Sequence, residues 1–351
     1  MTNQKHMRHI TLVTSFSLLA MALSLSVPAT THAAAVRGDQ KTLFVYFTWQ
    51  GNPPPASSVL PGIRDMVFNR MANFYREVSY GKINIVGDAI AVNLPIAPTC
   101  SFDTVVAREV LNIAKTTLDI RSYSRLILVP TPSNLEGCFG RGGIAVPDTF
   151  INIDGTTLIM SVGVANSFSL FTIAHEFGHG FGLGHSAFGS DDYGGYDVMG
   201  RWMTFFNAVN AEQLGWFSPG NIITVSSSGR YTIEPLETVS DGPKILRLYH
   251  PDTFTPLNHL YIEYRQPIGL DASLSTTIFD GALMHTHLFN INRPVVSSLV
   301  VPSTSGISLP VGSTYIDPLT GASITTVSKS TSGLTVDITL TPRSTPLDAT
   351  P

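Results

Sequence analysis

Five residues in the stretch FTIAHEFGHGFGLGH (171–185) have types and spacing that could do chemistry: His175, Glu176, His179, Gly182 and His185, in the pattern HExxHxxGxxH. On a helix, positions four apart share a face, so His175 and His179 can turn a ring nitrogen each to one point. Gly182 lets the backbone leave the helix through a left-handed or similarly sharp conformation, and the next three residues swing His185 back to that point. The expected result is three neutral imidazoles around one Zn²⁺, with a fourth position open for water. Glu176 faces the open side and can take a proton from that water. The plainer reading, polar residues on an apolar helix, explains none of the five positions. Gly178 and Gly180 point the same way, since each costs a helix roughly 1 kcal/mol against Ala. Close packing around a metal site is a reason to keep them.

A site of this kind needs a rigid frame. Residues 42–47 (TLFVYF) read as a buried strand, 61–75 as a helix begun by Pro61, and 82–92 as an alternating strand. Residues 102–118 follow as an amphipathic helix and 125–129 (RLILV) as a central strand. This βαβαβ order predicts a mixed, largely parallel sheet with helices packed on it. The GRGG run at 140–143 is no phosphate loop, because no Lys-Ser or Lys-Thr pair follows. Residues 150–164 are expected to form an edge strand or hairpin beside the active helix, where an extended peptide could add itself as a further strand. Ser167 or Ser169 can cap that helix, with Leu170, Ile173 and Phe177 toward the sheet. Residues 207–216 should be a short helix that closes the catalytic part, with Leu214 and Trp216 in its core.

From about Ser218 the composition shifts to short β-rich runs separated by Gly, Pro, Asp and Ser, which predicts an antiparallel, sandwich-like domain. The expected organisation is residues 1–35 as a secretory signal, 36–218 catalytic, 219–342 β-rich and 343–351 a flexible tail. Lys5 and Arg8 precede an apolar run, and Ala33, Ala34 and Ala35 offer a small-residue cleavage site near Ala35, which implies secretion. No stable membrane insertion is expected, since the leader carries several Ser and Thr and no later stretch qualifies as a span. A net charge of −4 with 13% charged residues gives no basic footprint for nucleic acid. The only cysteines, Cys100 and Cys138, are expected to pair, stabilising by roughly 3 to 4 kcal/mol. The alternative is a free thiol that plugs the metal. Asp191, Asp192 and Asp197 are candidate Ca²⁺ ligands in a Gly-rich loop, against the plainer reading of a solvated turn. His285 and His287 lie two apart on a strand and could form a second metal site, although a polar strand face explains them as well. Tyr193 and Tyr196 could hydrogen-bond a tetrahedral oxyanion, but packing is the preferred reading.

After His185 comes YDVMG (196–200), and the arrangement resembles the metzincin metalloproteases, in which a tight turn places a Met beneath the metal; Met199 is the matching residue. Together with NFYREVSYGKINIVGDAI (73–90) and FNAVNAEQLGWF (206–217), it resembles the gametolysin family of secreted metallopeptidases, with immune inhibitor A-like peptidases as the nearest competitor. Ser186 stands where some metzincins have Asp, and no Tyr follows Met199 by two residues. The resemblance implies an α/β (α+β) zincin-type catalytic domain with a mixed twisted sheet and an active-site helix, followed here by the all-β sandwich-like C-terminal domain. It also implies a zinc endopeptidase of protein or glycoprotein substrates, with Glu176 acting first as base and then as acid. A secreted binding or adhesion protein with a structural zinc is the alternative. Glu176 argues against it, because a structural site needs no general base.

Overall fold

The computed structural model describes residues 35–132, 138, 142–189, 191, 193–250, 259–290, 293–300 and 306–342. The expected leader, apart from Ala35, and the expected tail therefore lie outside the described residues. Five strands, β1 (Gly38–Thr48), β2 (Ile83–Asn93), β3 (Arg125–Pro130), β4 (Gly143–Ile153) and β5 (Thr156–Ala165), make one sheet in the order β2-β1-β3-β5-β4. All its pairs are parallel except β4 with β5, so the sheet is mixed and largely parallel, as the element order predicts.

Strand β1 is apolar on both faces because both faces are covered. Leu43, Val45 and Phe47 pack with Val106, Val110 and Leu111 of helix α2, a π-type turn Phe102–Val106 running into Ala107–Ala114. Phe44 packs on the opposite side with the long first helix, α1, and with α3 (Leu170–Gly180). Helix α1 runs from Leu60–Arg64 through a π-type stretch Asp65–Met71 to Ala72–Val78. Its Tyr75 is the aromatic hub of this layer, with ring neighbours Phe177, Phe181, Phe206 and Trp216 at centroid distances from 5.3 to 6.4 Å. Strands β4 and β5 form the expected hairpin. It closes on Asp154 and Gly155, both at positive φ, the backbone that a tight two-residue hairpin loop demands. The hairpin begins earlier than expected, at Gly143, within the glycine-rich stretch.

A short strand, β6 (Ser186–Phe188), leaves the third histidine, and helix α4 (Ala208–Gln213) follows, capped by Asn207. The β-rich half contributes β7 (Ile222–Thr224), β8 (Gly229–Ile233), β9 (Ile245–Tyr249), β10 (His259–Glu263), β11 (Gly281–Asn290) and β12 (Arg293–Val300). It continues with β13 (Leu309–Pro310), β14 (Thr314–Ile316), β15 (Ser323–Ser330) and β16 (Gly333–Thr339). These form a seven-stranded sheet, β6-β12-β11-β10-β9-β7 with β13 on β11, and a four-stranded sheet, β14-β15-β16-β8. Leu246, Leu260, Ile262 and Met284 of the first pack against Ile233, Ile324, Leu334 and Val336 of the second, giving the expected sandwich core, although the larger sheet is mixed rather than antiparallel, since β7 runs parallel to β9. Strand β6 joins this sheet by pairing in parallel with β12, Ser186 opposite Ser297. Among the described residues no helix is long and apolar enough to cross a membrane.

Candidate metal centre and cleft

Helix α3 starts where Ser169 accepts the Thr172 N–H at 3.1 Å, one of the two caps expected. Ile173 and Phe177 are buried toward the sheet, which leaves His175 and His179, one turn apart, on another face. The backbone then turns at Gly182, whose φ is +89°, and brings His185 in. Ligand atoms of His175, His179 and His185 all lie within 4.8 Å of one another.

Each helical imidazole is anchored from behind. His175 Nδ1 lies 2.7 Å from the Val198 carbonyl and His179 Nδ1 lies 2.8 Å from the Leu183 carbonyl. A ring nitrogen that donates to a carbonyl leaves the other one, Nε2, as a lone-pair donor toward the cluster centre. Burial, then the neighbouring His175, holds His179 down to about 3, and burial also lowers His175. Neutral, oriented imidazoles fit a metal ion, so the residues present suit the group that the spacing implies.

Glu176 is 2% exposed, and its Oε2 has no hydrogen-bond partner among the described residues. Burial pushes its carboxyl up to about 8. Strand β4 runs against it: a Cβ on Gly143 would lie 2.7 Å from Glu176 Oε1 and 2.1 Å from the Val164 carbonyl, so only glycine fits there. The carboxylate and the three imidazoles open into one cleft of about 780 Å³, whose wall also includes Gly143, Phe171, Tyr193 and Arg201.

Met199 is fully buried beneath the helix, and a Cβ on Gly178 would stand 2.4 Å from its sulfur. A Cβ on Gly180 would lie 3.0 Å from Ser161 Oγ. Both helix glycines therefore serve close packing, as their low propensity suggests. The turn before Met199 is organised by Asp197. Its Oδ1 accepts the N–H groups of Met199 (2.9 Å) and Gly200 (3.2 Å). Its Oδ2 accepts the Asn207 N–H and the side-chain amides of Asn207 and Asn210, between 2.9 and 3.1 Å. Those amides also reach Ser186 Oγ, which lies 3.0 Å from Ser297 Oγ. With both carboxylate oxygens of Asp197 committed to protein donors and Asp191 paired with Arg201 at 3.1 Å, the described residues give Ca²⁺ no support. Asp192 lies outside them.

Tyr196 packs on Trp202, with ring centroids 6.1 Å apart, as preferred. Tyr193 instead is part of the cleft wall, its ring centroid 3.9 Å from that of His185. His285 is used internally, with Nε2 3.3 Å from Glu263 Oε1, and no second three-ligand group occurs among the described residues. Cys100 and Cys138 form a disulfide, with Cα atoms 5.4 Å apart, so neither thiol is available to plug the metal.

Sequence reasoning missed two supports of the site besides Gly143. Arg125 donates to the Gly180 carbonyl at 2.9 Å, at the negative end of α3, and its guanidinium lies 4.1 Å from the Phe181 ring centroid. Tyr75 donates its hydroxyl to the Ala174 carbonyl at 2.6 Å, one residue before the first ligand. Arg125 sits at the head of an apolar strand, and an ionised residue in that position is a signal that could have been followed.

Among solved structures the chain is similar to metalloproteinase-II from Bacteroides fragilis, at 14% identity over 53% of this chain and 57% of that one, with a TM-score of 0.28. It is also similar to catalytically inactive OgpA from Akkermansia muciniphila, solved with an O-glycopeptide substrate, glycodrosocin. That match is at 10% identity over 83% of this chain and 89% of that one, with a TM-score of 0.31. The chain thus spans little more than half of the metalloproteinase-II chain. No curated protein matches it. Residues 57–295, well over half of the 351, match the family model described as gametolysin peptidase M11. On that match the chain, with its three converging imidazoles, belongs to the gametolysin M11 peptidase family.

Proposed function

We propose that the protein is a secreted, zinc-dependent endopeptidase of extracellular proteins or glycoproteins. The observation that carries this reading is the Oε2 of buried Glu176, which has no hydrogen-bond partner among the described residues and opens into the same cleft as three converging imidazoles. A purely structural site has no use for such a carboxylate. His175 and His179 through their Nε2 atoms, and His185 through one ring nitrogen, would hold the metal. When bound, zinc supplies Lewis-acid activation of a water and of the peptide carbonyl. Glu176 takes the proton of the attacking water at its carboxylate and returns it to the leaving amide nitrogen, so that one group serves as base and then as acid. Burial that raises its proton affinity suits the second role, in which the carboxyl must hold the proton until the nitrogen accepts it. Met199 forms an apolar floor that fixes α3. The open side of β4 suits an extended peptide added as a further strand beside Glu176.

The leader-like residues 1–35 and the disulfide support secretion. The test is Glu176→Ala. Metal analysis should find zinc retained at the stoichiometry of the wild type while cleavage of casein or gelatin falls by at least a thousandfold, roughly the loss of an essential proton-transfer group. Cleavage persisting unchanged removes Glu176 from the mechanism. A wild-type protein that binds zinc and cuts no peptide defeats the reading as a whole.

A further inference from the structure

The cleft wall carries one charge that the reaction does not use. Besides Glu176 and the three imidazoles, the wall consists of glycines, Phe171, Thr172, Tyr193 and Arg201, so among the described residues Arg201 is its single fixed cation. Arg201 follows Met199 by two residues, and Tyr193, on the same wall, packs its ring 3.9 Å from that of His185. A residue is at most about 3.6 Å long in an extended chain. A substrate group that reaches this wall therefore belongs to a residue close to the bond held at the metal.

The guanidinium is held in place from one side. Its Nη2 lies 3.1 Å from Asp191 Oδ2 and 3.3 Å from Oδ1. Asp191 is itself fixed, since its Oδ1 accepts the Tyr193 N–H at 3.0 Å and its backbone pairs with Phe188 in both directions, at 2.8 and 3.0 Å. The loop between them is packed to contact. A Cβ on Gly195 would stand 2.4 Å from Ser186 Cβ, and one on Gly200 would stand 2.1 Å from the Gly195 carbonyl oxygen. Arg201 is thus carried by a close-packed loop tied to β6, the strand that follows the third imidazole.

Asp191 occupies only part of this group. A guanidinium has five N–H donors in a planar fork that matches a carboxylate, and Nε and Nη1 of Arg201 have no hydrogen-bond partner among the described residues. One carboxylate beside an arginine does not repel a second. Arg265 of the same chain serves two at once, Glu263 through Nε at 2.9 Å and Asp271 through Nη1 at 2.7 Å.

We propose that Arg201 is a specificity-determining residue, whose uncommitted donors take the side-chain carboxylate of a substrate Asp or Glu next to the cut bond. The proposal deepens the peptidase reading and rests on it for the position of that bond. Its size follows from exposure. The side chains of Arg201 and Asp191 are 62% and 41% exposed, so solvent screens the contact, and the preference for Glu over Gln in kcat/KM should be about five- to tenfold.

The test uses a fluorescent casein peptide in which each residue in turn is Glu, Gln or Lys. At one position next to the cut bond, Glu should be cleaved about five to ten times faster than Gln, with Lys slower than both. In about 1 M salt, where the screening length is about 3 Å, that ratio should fall to about two. Arg201→Met should bring it to about one, and Arg201→Lys should leave an intermediate value. Each ratio is taken within one protein, so a smaller folded fraction leaves it unchanged. If Arg201→Met yields no folded protein, the salt series and Arg201→Lys still decide. A ratio near one at every position overturns the proposal, as does a preference that survives in Arg201→Met. So does an equal loss for all three peptides in that variant, or a benefit that vanishes when the peptide's own C-terminus is amidated. Anisotropy with full-length Glu176→Gln protein separates the two readings. Cleavage with no preference sinks the role of Arg201 alone, whereas Glu-selective binding beside a wild type that cuts nothing sinks the peptidase reading alone.

Discussion

Gly178→Ala sets two opposing effects against each other at the heart of the site. An alanine in a helix interior is worth about 1 kcal/mol more than glycine, and on propensity alone the variant should be more stable. Its Cβ would lie 2.4 Å from Met199 Sδ, 3.4 Å from Met199 Cε and 3.5 Å from the Tyr75 hydroxyl. Neither neighbour can readily retreat. Tyr75 is tied to the Ala174 carbonyl at 2.6 Å, and the backbone of Met199 is held by Asp197 and by the Ser186 N–H at 3.0 Å. Overpacking of this kind costs about 1 to 3 kcal/mol, so the clash offsets or outweighs the propensity gain and the net loss should be up to about 2 kcal/mol. Met199→Ala by itself should cost about 2 to 5 kcal/mol through the cavity that it leaves. In that background the clash is gone, and Gly178→Ala should become stabilising by up to about 1 kcal/mol. Urea unfolding of the four proteins of the cycle, with metal content measured alongside, reads the sign change directly. A Gly178→Ala protein more stable than the wild type, or an unchanged effect of the mutation in the Met199→Ala background, would refute the claim that this glycine exists to admit the methionine.

Asp197→Asn should cost nearly as much as Asp197→Ala, about 3 kcal/mol, because the new amide group must face the donors of Asn207, Asn210 and the turn; a chemical-denaturation midpoint close to that of the wild type counts against the hub. Arg125→Met should lose about 2 to 4 kcal/mol, and Arg125→Lys should recover only part of it, since a single ammonium cannot serve Gly180, Ser161 and Gln40 together; full rescue by Lys in thermal melts disproves this. Burial raises the Glu263 carboxyl, but Arg265 and then His285 outweigh it and bring it down to about 2, against an ordinary 4.5. A depressed pKa means stability present in full above about 4.5 and lost as pH falls toward 2, amounting to about 3 kcal/mol for this group. Glu263→Gln should therefore flatten the acid limb of a plot of unfolding free energy against pH; an unaltered slope over that window contradicts the assignment.

What could be read in the sequence was what repeats locally. His175 and His179 are one helical turn apart, Gly182 is a glycine because φ must be positive, and Leu43 to Phe47 of β1 are a continuous apolar run because helices cover both sides of the strand. Strands with weaker patterns escaped. In Ser323–Ser330 only Ile324 and Thr326 are buried, so the alternation is carried by one apolar residue and a threonine. Gly143 was hidden differently, because a glycine-rich run looks like a loop unless the carboxylate that it must pass is already in view. Arg125 and Asp197 were illegible for a third reason. Their chemistry lies in partners brought together by the fold, 55 residues away in the case of Gly180; the charge at the head of an apolar strand marks Arg125 as unusual but names no partner.

The three ligands are therefore not held alike. Helix α3 sets the spacing of His175 and His179; His179 is anchored four residues on by the Leu183 carbonyl, whereas His175 is anchored by the Val198 carbonyl in the Met199 turn. His185 depends on contacts of much longer range. The strand that follows it, β6, pairs with β12 more than a hundred residues later, and Ser186 shares a buried polar cluster with Ser297, Asn207 and Asn210. That cluster closes on Asp197, which in turn shapes the Met199 turn under the helix. A long-range ladder costs the loop-closure entropy of the intervening chain, so the seating of the third imidazole is coupled to the pairing of β6 with β12. In the described residues the second sheet is thus part of the frame of the metal centre, through the single imidazole that helix geometry alone cannot position.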